Sequence, residues 1–183
     1  MLRIYIANLG KYNEGELVGK WIDLPCTEEE LNKLYCDIKV AHFNKDGEFA
    51  PYFEENGIIY EETAIHDYET DITGLEIGEY DSVERLNELA ERLEVYNDCE
   101  IEVIEALIET EGYDLEEAMD EYDKGDCGLY AVNSLTELAE QFVDEGYFTT
   151  EKLLQYIDFE ALGRDLSFDG YTETKNGVLY HYK

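Results

Sequence analysis

The chain has 183 residues, with 46 Asp or Glu against 13 Lys or Arg, a net charge of −33 at neutral pH. Such a surface repels anionic nucleic acid and anionic lipid, so direct nucleic-acid binding and membrane attachment are both disfavoured, and the expected partner is basic. Hydrophobic residues at 44%, including 16 Tyr, 7 Phe and Trp21, separate the sequence from aromatic-poor acidic disordered chains and can fill a core.

No repeat is visible and only Pro25 and Pro51 punctuate the chain, so segments are read from changes of pattern. Residues 1–79 read as an N-terminal antiparallel-sheet domain with a short helix. Leu2, Ile4 and Ile6 alternate with Arg3, Tyr5 and Ala7 as a strand, and Leu17–Leu24 and Ile58–Tyr68 read as further strands. Thr27 with Glu30 caps the helix.

Residues 80–121 read as an acidic domain that is helical throughout. From Ser82, the residues Val83, Leu86, Leu89, Ala90 and Leu93 share one side of a helix, and Ile101, Ile104, Leu107 and Ile108 form a second stripe. Asp114 and Glu117 open a third helix, whose stripe is Leu115, Ala118, Met119 and Tyr122. The three stripes are expected to pack together.

Residues 122–183 read as a mixed α+β domain suited to dimerisation. It holds an apolar stretch Leu129–Val132, a helix opened by Ser134 with Glu137, a helix near Thr150–Ile157 and a hairpin turn at Asn176-Gly177. The expected fold class is therefore α+β, an elongated chain of three small domains.

The three segments carry net charges of −12, −14 and −7, so the helical middle is the most acidic per residue. Its acids are also placed. Glu84, Glu88 and Glu91 project opposite the first apolar stripe, and Glu102, Glu105 and Glu109 repeat that ridge on the next helix. Like charges at i, i+4 cost a helix about 0.2–0.5 kcal/mol per pair, and only Arg85 and Arg92 offset them in this segment. A face kept acidic for solubility alone normally mixes signs.

Duplex DNA carries one charge per about 1.7 Å, so a net −33 matches roughly 56 Å, or about 16 base pairs. A single 183-residue globule spans only about 40 Å, which is why phosphate imitation requires an elongated arrangement. Charge by itself leaves three readings open: a DNA mimic, a general acidic binding module and a salt-adapted surface.

Chemistry offers less. The histidines are His42, His66 and His181, and the neighbours His66 and Asp67 point to opposite faces of a strand. No phosphate-binding loop, H-E-x-x-H or G-x-S-x-G string is present. Cys26, Cys36, Cys99 and Cys127 contain no C-x-x-C pair and read as free thiols. Asp165, Ser167, Asp169, Gly170, Tyr171 and Glu173 approach a calcium loop, but Asn176 stands where a bidentate Glu is needed. No catalytic residue, metal or cofactor is expected. With no long apolar run and no leader pattern in MLRIYIANLGKY, the chain is expected to be soluble and cytoplasmic.

The string YIANLGKYNEGELVGKW, Tyr5 to Trp21, closely resembles the start of the ArdA antirestriction family. AIHDYE, Ala64 to Glu69, and YIDFEALGRDL, Tyr156 to Leu166, resemble its middle and late signatures in the same order. Residues 80–130 are similar only in their helical, acidic character. The resemblance implies an inhibitor from mobile genetic elements that binds type I restriction-modification enzymes in place of DNA. It also implies an elongated homodimer of three small domains per chain that mimics bent B-form DNA, with the C-terminal domain at the dimer interface. Gly10, Gly15, Gly19 and Gly163 in these strings read as structural, and Tyr5, Trp21, Tyr68, Tyr156 and Phe159 as core or interface residues.

The combined expectation is a non-enzymatic decoy whose mimicking carboxylates include Asp81, Glu84, Glu88, Glu91, Glu102, Glu105, Glu109, Glu116 and Asp120. The alternative is an acidic adaptor or chaperone that binds a basic protein without competing with DNA. The last 23 residues carry three acids and three bases, which makes that end the cheapest place for two such chains to meet.

Overall fold

Alternating apolar residues at the N-terminus set up the first sheet. In the computed structural model, which describes residues 1–147, 154 and 157–181, the order begins β1 (Leu2–Asn8), α1 (Leu9–Asn13), β2 (Gly19–Leu24) and α2 (Glu28–Asp37). Short strands β3 (His42–Phe43), β4 (Phe49–Ala50), β5 (Phe53–Glu55) and β6 (Ile58–Tyr60) follow, then β7 (Thr63–Thr70) and α3 (Val83–Leu93). β1 is the middle strand of an antiparallel sheet ordered β2-β1-β7, with Leu2 opposite Leu24 and Thr70. Leu2, Ile4 and Ile6 are at most 2% exposed and pack with Leu24, Leu34, Ile38 and Ile65 in one cluster.

The expected strand Ile58–Tyr68 is two strands. Ile58–Tyr60 folds back on Phe53–Glu55, whereas Thr63–Thr70 pairs with β1. The Asn56-Gly57 turn drives the first pairing, because φ values of +55° and +79° are those a tight hairpin demands. The Thr27–Glu30 capping box is present as expected.

The second half runs α4 (Asp98–Glu111), α5 (Leu115–Asp123), β8 (Cys127–Tyr130), α6 (Leu135–Asp144), α7 (Phe159–Phe168), β9 (Tyr171–Thr174) and β10 (Gly177–His181). Asn97 and Asp114 both cap in full boxes, with Glu100 and Glu117. α4 and α5 pack on each other, and they carry Ile104, Leu107, Ala118 and Met119, none of which is measurably exposed. A small antiparallel sheet, ordered β8-β10-β9, lies against α6 and α7 through Leu138, Phe142, Leu166, Tyr171 and Val178. At Gly163 a Cβ would stand 2.9 Å from the Leu135 carbonyl carbon and 3.0 Å from its oxygen, so α7 approaches α6 along its backbone.

Contacts gather the chain into two compact units, Met1–Val95 and Tyr96–Lys183. The helical segment 80–121 is thus shared between them. The expectation that its three apolar stripes pack together is corrected: Val83, Leu86 and Ala90 of α3 join the cluster around Leu2, Ile4, Leu24 and Leu34. The reason is a built-in clamp as well as apolar burial. The Asn87 carboxamide accepts from Cys26 N–H at 2.6 Å and donates to the Cys26 carbonyl at 3.1 Å.

Two details of the C-terminal reading also change. The hairpin turn residues are Lys175 and Asn176, with Gly177 already paired to Thr174. Gly177 is required for another reason: its φ is +138°, and a Cβ would meet the Tyr130 carbonyl oxygen at 2.4 Å. The pattern reading named no element over 159–168, where α7 is capped by Asp158. The helix expected near Thr150–Ile157 lies outside the described residues except at Leu154 and Ile157.

Candidate functional site

The helices that carry most of the acids do so because their cores leave them only one exposed side. On α3, Val83, Leu86, Leu89 and Ala90 are buried while Glu84, Glu88 and Glu91 are exposed, as the periodicity predicts. Asp81 is exposed in the preceding turn, where its carboxylate accepts from Gly78 N–H at 2.8 Å, and Glu84 accepts from the Ser82 hydroxyl at 3.0 Å. On α4, Glu102 and Glu109 are exposed, but Glu105 between them is only 9% exposed. On α5, Asp120 is exposed and Glu116 half-buried. Four of the named carboxylates, Asp81, Glu84, Glu88 and Glu91, thus belong with the first unit and the other five with the second, so two separate ridges are presented.

Sequence reasoning missed a third. Glu137, Glu140 and Asp144 of α6 are all exposed and recur at helical spacing. Averaging charge over 122–183 hid them behind the neutral end of that segment. The signal was present in the spacing after Ser134.

Helix dipoles favour part of this arrangement. Acids occupy the first turn of α2, α3, α4, α5, α6 and α7, where the partial positive charge of unpaired N–H groups attracts them. The converse is absent: of those six described helices only α3 has a base in its last turn, Arg92. By sequence the first unit carries 23 acids and 8 bases and the second 23 acids and 5 bases, so both are strongly negative.

Where bases do occur, several are structural. Lys11, 5% exposed, donates to Glu55 at 2.7 Å and Glu14 at 3.4 Å and lies 4.6 Å from the centre of the Tyr60 ring. The hydrogen bond to Glu55, then that to Tyr60, raises its pKa, and Lys11 and Lys39 together hold Glu55 below the usual carboxylate range.

The groups that could do chemistry are poorly equipped for it. His66 stacks edge-on with Tyr12 at 4.5 Å, and Asp67 accepts from Tyr68 N–H, so the sequence neighbours form no dyad. A closer His–carboxylate pair joins His181 Nε2 to Glu121 at 2.7 Å, a contact concealed by a sequence separation of 60. Burial pushes the Cys127 thiol up to about 11, and raises Cys26 and Cys36 too, the reverse of an activated nucleophile. Asp165 and Ser167 lie on α7 and Tyr171 and Glu173 on β9, so the residues of the calcium-like string are parts of regular elements. Among the described residues no group of three or more His, Cys, Asp or Glu could hold a metal ion. No helix there is long and apolar enough to cross a membrane.

Taken as a surface, the arrangement can present rows of carboxylates at about 5–6 Å spacing to a basic partner, which is the spacing of i, i+3 and i, i+4 positions. A family model described as antirestriction protein (ArdA) matches residues 4–180 of the chain. No curated protein matches it.

Proposed function

The chain belongs to the ArdA antirestriction family, and on that premise we propose that it works as a mimic of B-form DNA. Its carboxylate rows enter the DNA-binding groove of a type I restriction-modification enzyme and exclude DNA by competition. No bond is made or broken. The observation that carries this reading is the one-sided placement of acid: Glu84, Glu88 and Glu91 stand exposed opposite a buried stripe that fixes their helix to the sheet core.

The mimicking set comprises Asp81, Glu84, Glu88 and Glu91 near α3, Glu102, Glu105 and Glu109 on α4, and Glu116 and Asp120 on α5. Glu105 is its weakest member, since a buried carboxylate cannot meet a partner's lysine without rearrangement. The working form is a homodimer, joined where repulsion is least. Phe168, at the end of α7 within the balanced 161–183 stretch, is 86% exposed and supplies apolar surface for that contact.

The test is competition. Saturating protein should abolish DNA binding by a purified type I enzyme at low salt, and added salt should weaken the inhibition. Binding to the enzyme with DNA binding intact would instead identify an acidic adaptor.

A further inference from the structure

A cleft of about 610 Å³ opens in the first unit between α2, β4, the start of β7 and the loop entering α3. Its floor is apolar and buried, made by Val40, Ala41, Ala64, Ile65 and Val83. Half-buried Tyr35 and Phe49 form walls, and Tyr80, 71% exposed, stands at the mouth. The rim is acidic: Glu28, Glu61, Glu79, Asp81 and Glu84 are exposed, and none of the described residues lining the cleft is Lys, Arg or His. The field is felt inside, because burial and then the Glu84 charge raise the pKa of Tyr35.

A duplex has no counterpart to this recess. Copying phosphates requires carboxylates on a convex ridge, and an apolar floor of this size adds nothing to that task. Its volume is that of a pocket which encloses a ligand, roughly 300–1,000 Å³. Aromatic walls beneath carboxylates suit a cation that carries apolar bulk.

We propose that this cleft docks a short cationic segment of a partner protein, seating one bulky apolar side chain on the Val40, Ile65 and Val83 floor. Flanking Lys or Arg side chains meet the Glu28, Glu61 and Glu79 rim. The inference rests on the mimicry reading only for the class of partner, a protein with a basic surface. It adds an anchor that distinguishes that protein from any other basic surface, because seating one Leu or Phe is worth about tenfold to a hundredfold in affinity.

The test uses the full-length chain and two labelled peptides of equal positive charge, one with Leu and Phe among Lys and Arg, the other with Ser in their place. Anisotropy is read at about 0.5 M salt, where screening within a few Å suppresses diffuse attraction. The apolar peptide should bind at least about tenfold more tightly than the serine peptide. Asn32→Trp, which fills the cleft from α2, should remove that advantage, and the exposed-rim double variant Glu28→Lys with Glu61→Lys, which leaves the core intact, should weaken the binding of both peptides. Glu140→Lys, on α6, should leave it unchanged.

Equal binding of the two peptides, or full affinity in the double variant, overturns the proposal. So does displacement of the peptide by butylammonium at equal concentration, which would make the cleft a small-amine site. Peptide binding by a chain that fails to block DNA sinks the mimicry reading alone. Blocking of DNA by a chain that ignores the peptide sinks the cleft alone.

Discussion

Asn87→Ala separates the placement of charge from its amount. The substitution leaves the net charge at −33 and replaces no carboxylate, but it removes the two hydrogen bonds that tie α3 to the Cys26 backbone, at 2.6 and 3.1 Å, along with the 3.3 Å bond from the Asn87 amide to Glu91 one turn on. The two to Cys26 lie in a partly buried setting and leave a backbone donor and acceptor to find water, a loss of about 1–3 kcal/mol. For a unit of fewer than 100 residues each kcal/mol lowers the midpoint by about 4–8 °C, so a loss near 2 kcal/mol predicts a fall of roughly 8–16 °C in the unfolding of Met1–Val95. Calorimetry reads that fall, and DNA competition by a type I enzyme reads the function at a temperature where the variant is still folded. If acids act from a fixed ridge, inhibition weakens several-fold as α3 loosens. An unchanged midpoint would refute the clamp, and a lowered midpoint with unchanged inhibition would refute the claim that α3 must be held in place.

Gly163→Ala pushes a Cβ to within 3.0 Å of the Leu135 and Thr136 backbone, where neither helix can yield cheaply; a loss of about 1–3 kcal/mol is expected in thermal unfolding, and a midpoint equal to the parent's would deny the close approach. Replacing Glu84, Glu88 and Glu91 by Gln, singly and together, should weaken inhibition in steps of about 1.4- to 5-fold per exposed charge. The same Glu88→Gln change should slightly raise the midpoint, by relieving its i, i+4 repulsion with Glu84. Loss of all activity at one of these positions would point to an active site instead. Hydrogen bonds from Lys124, then His181, hold Glu121 below the usual carboxylate value of 4.5. A depressed acid stabilises the fold above its unfolded value and loses that contribution as pH falls through the folded one. Glu121→Gln should therefore be less stable than the parent at pH 7 and converge on it as the pH falls through the depressed folded-state value, in acid titrations followed by circular dichroism.

Local signals in the sequence were strong wherever one residue's neighbours decide its conformation. Thr27, Ser82, Asp114 and Ser134 cap helices because a short oxygen-bearing side chain reaches an unpaired N–H two or three residues on. The stripe on α3 was legible because that helix is buried on one side only. α4 defeated the same reasoning: Val103 to Ile108 are six consecutive buried residues, so the helix is enclosed over most of its circumference and takes Glu105 inside with it. A helical wheel places Glu105 between the apolar and acidic arcs, and only the neighbouring elements decide to which it belongs. Pairings across distance were equally hidden. Glu121 with His181, and Asn87 with Cys26, depend on which elements meet, a fact that no spacing encodes.

The economy of the fold bears on why so much repulsion is tolerated. A like-charge pair on a helix costs about 0.2–0.5 kcal/mol, whereas burying one Leu or Ile contributes about 1.5–3 kcal/mol. Ile104, Leu107, Met119 and Leu138, each without measurable exposure, therefore outweigh several such pairs on the helices they anchor. Stability in both units is carried by apolar stripes, caps and a few clustered bases such as Lys11; of the outward acids of α3, Glu84 bonds the capping Ser82 and Glu91 bonds Asn87, which leaves Glu88 furthest from that framework. Glu88 is consequently dispensable for folding, and neutralising it should stabilise the chain while it weakens inhibition. A surface kept acidic for the fold's own sake would respond with the opposite sign.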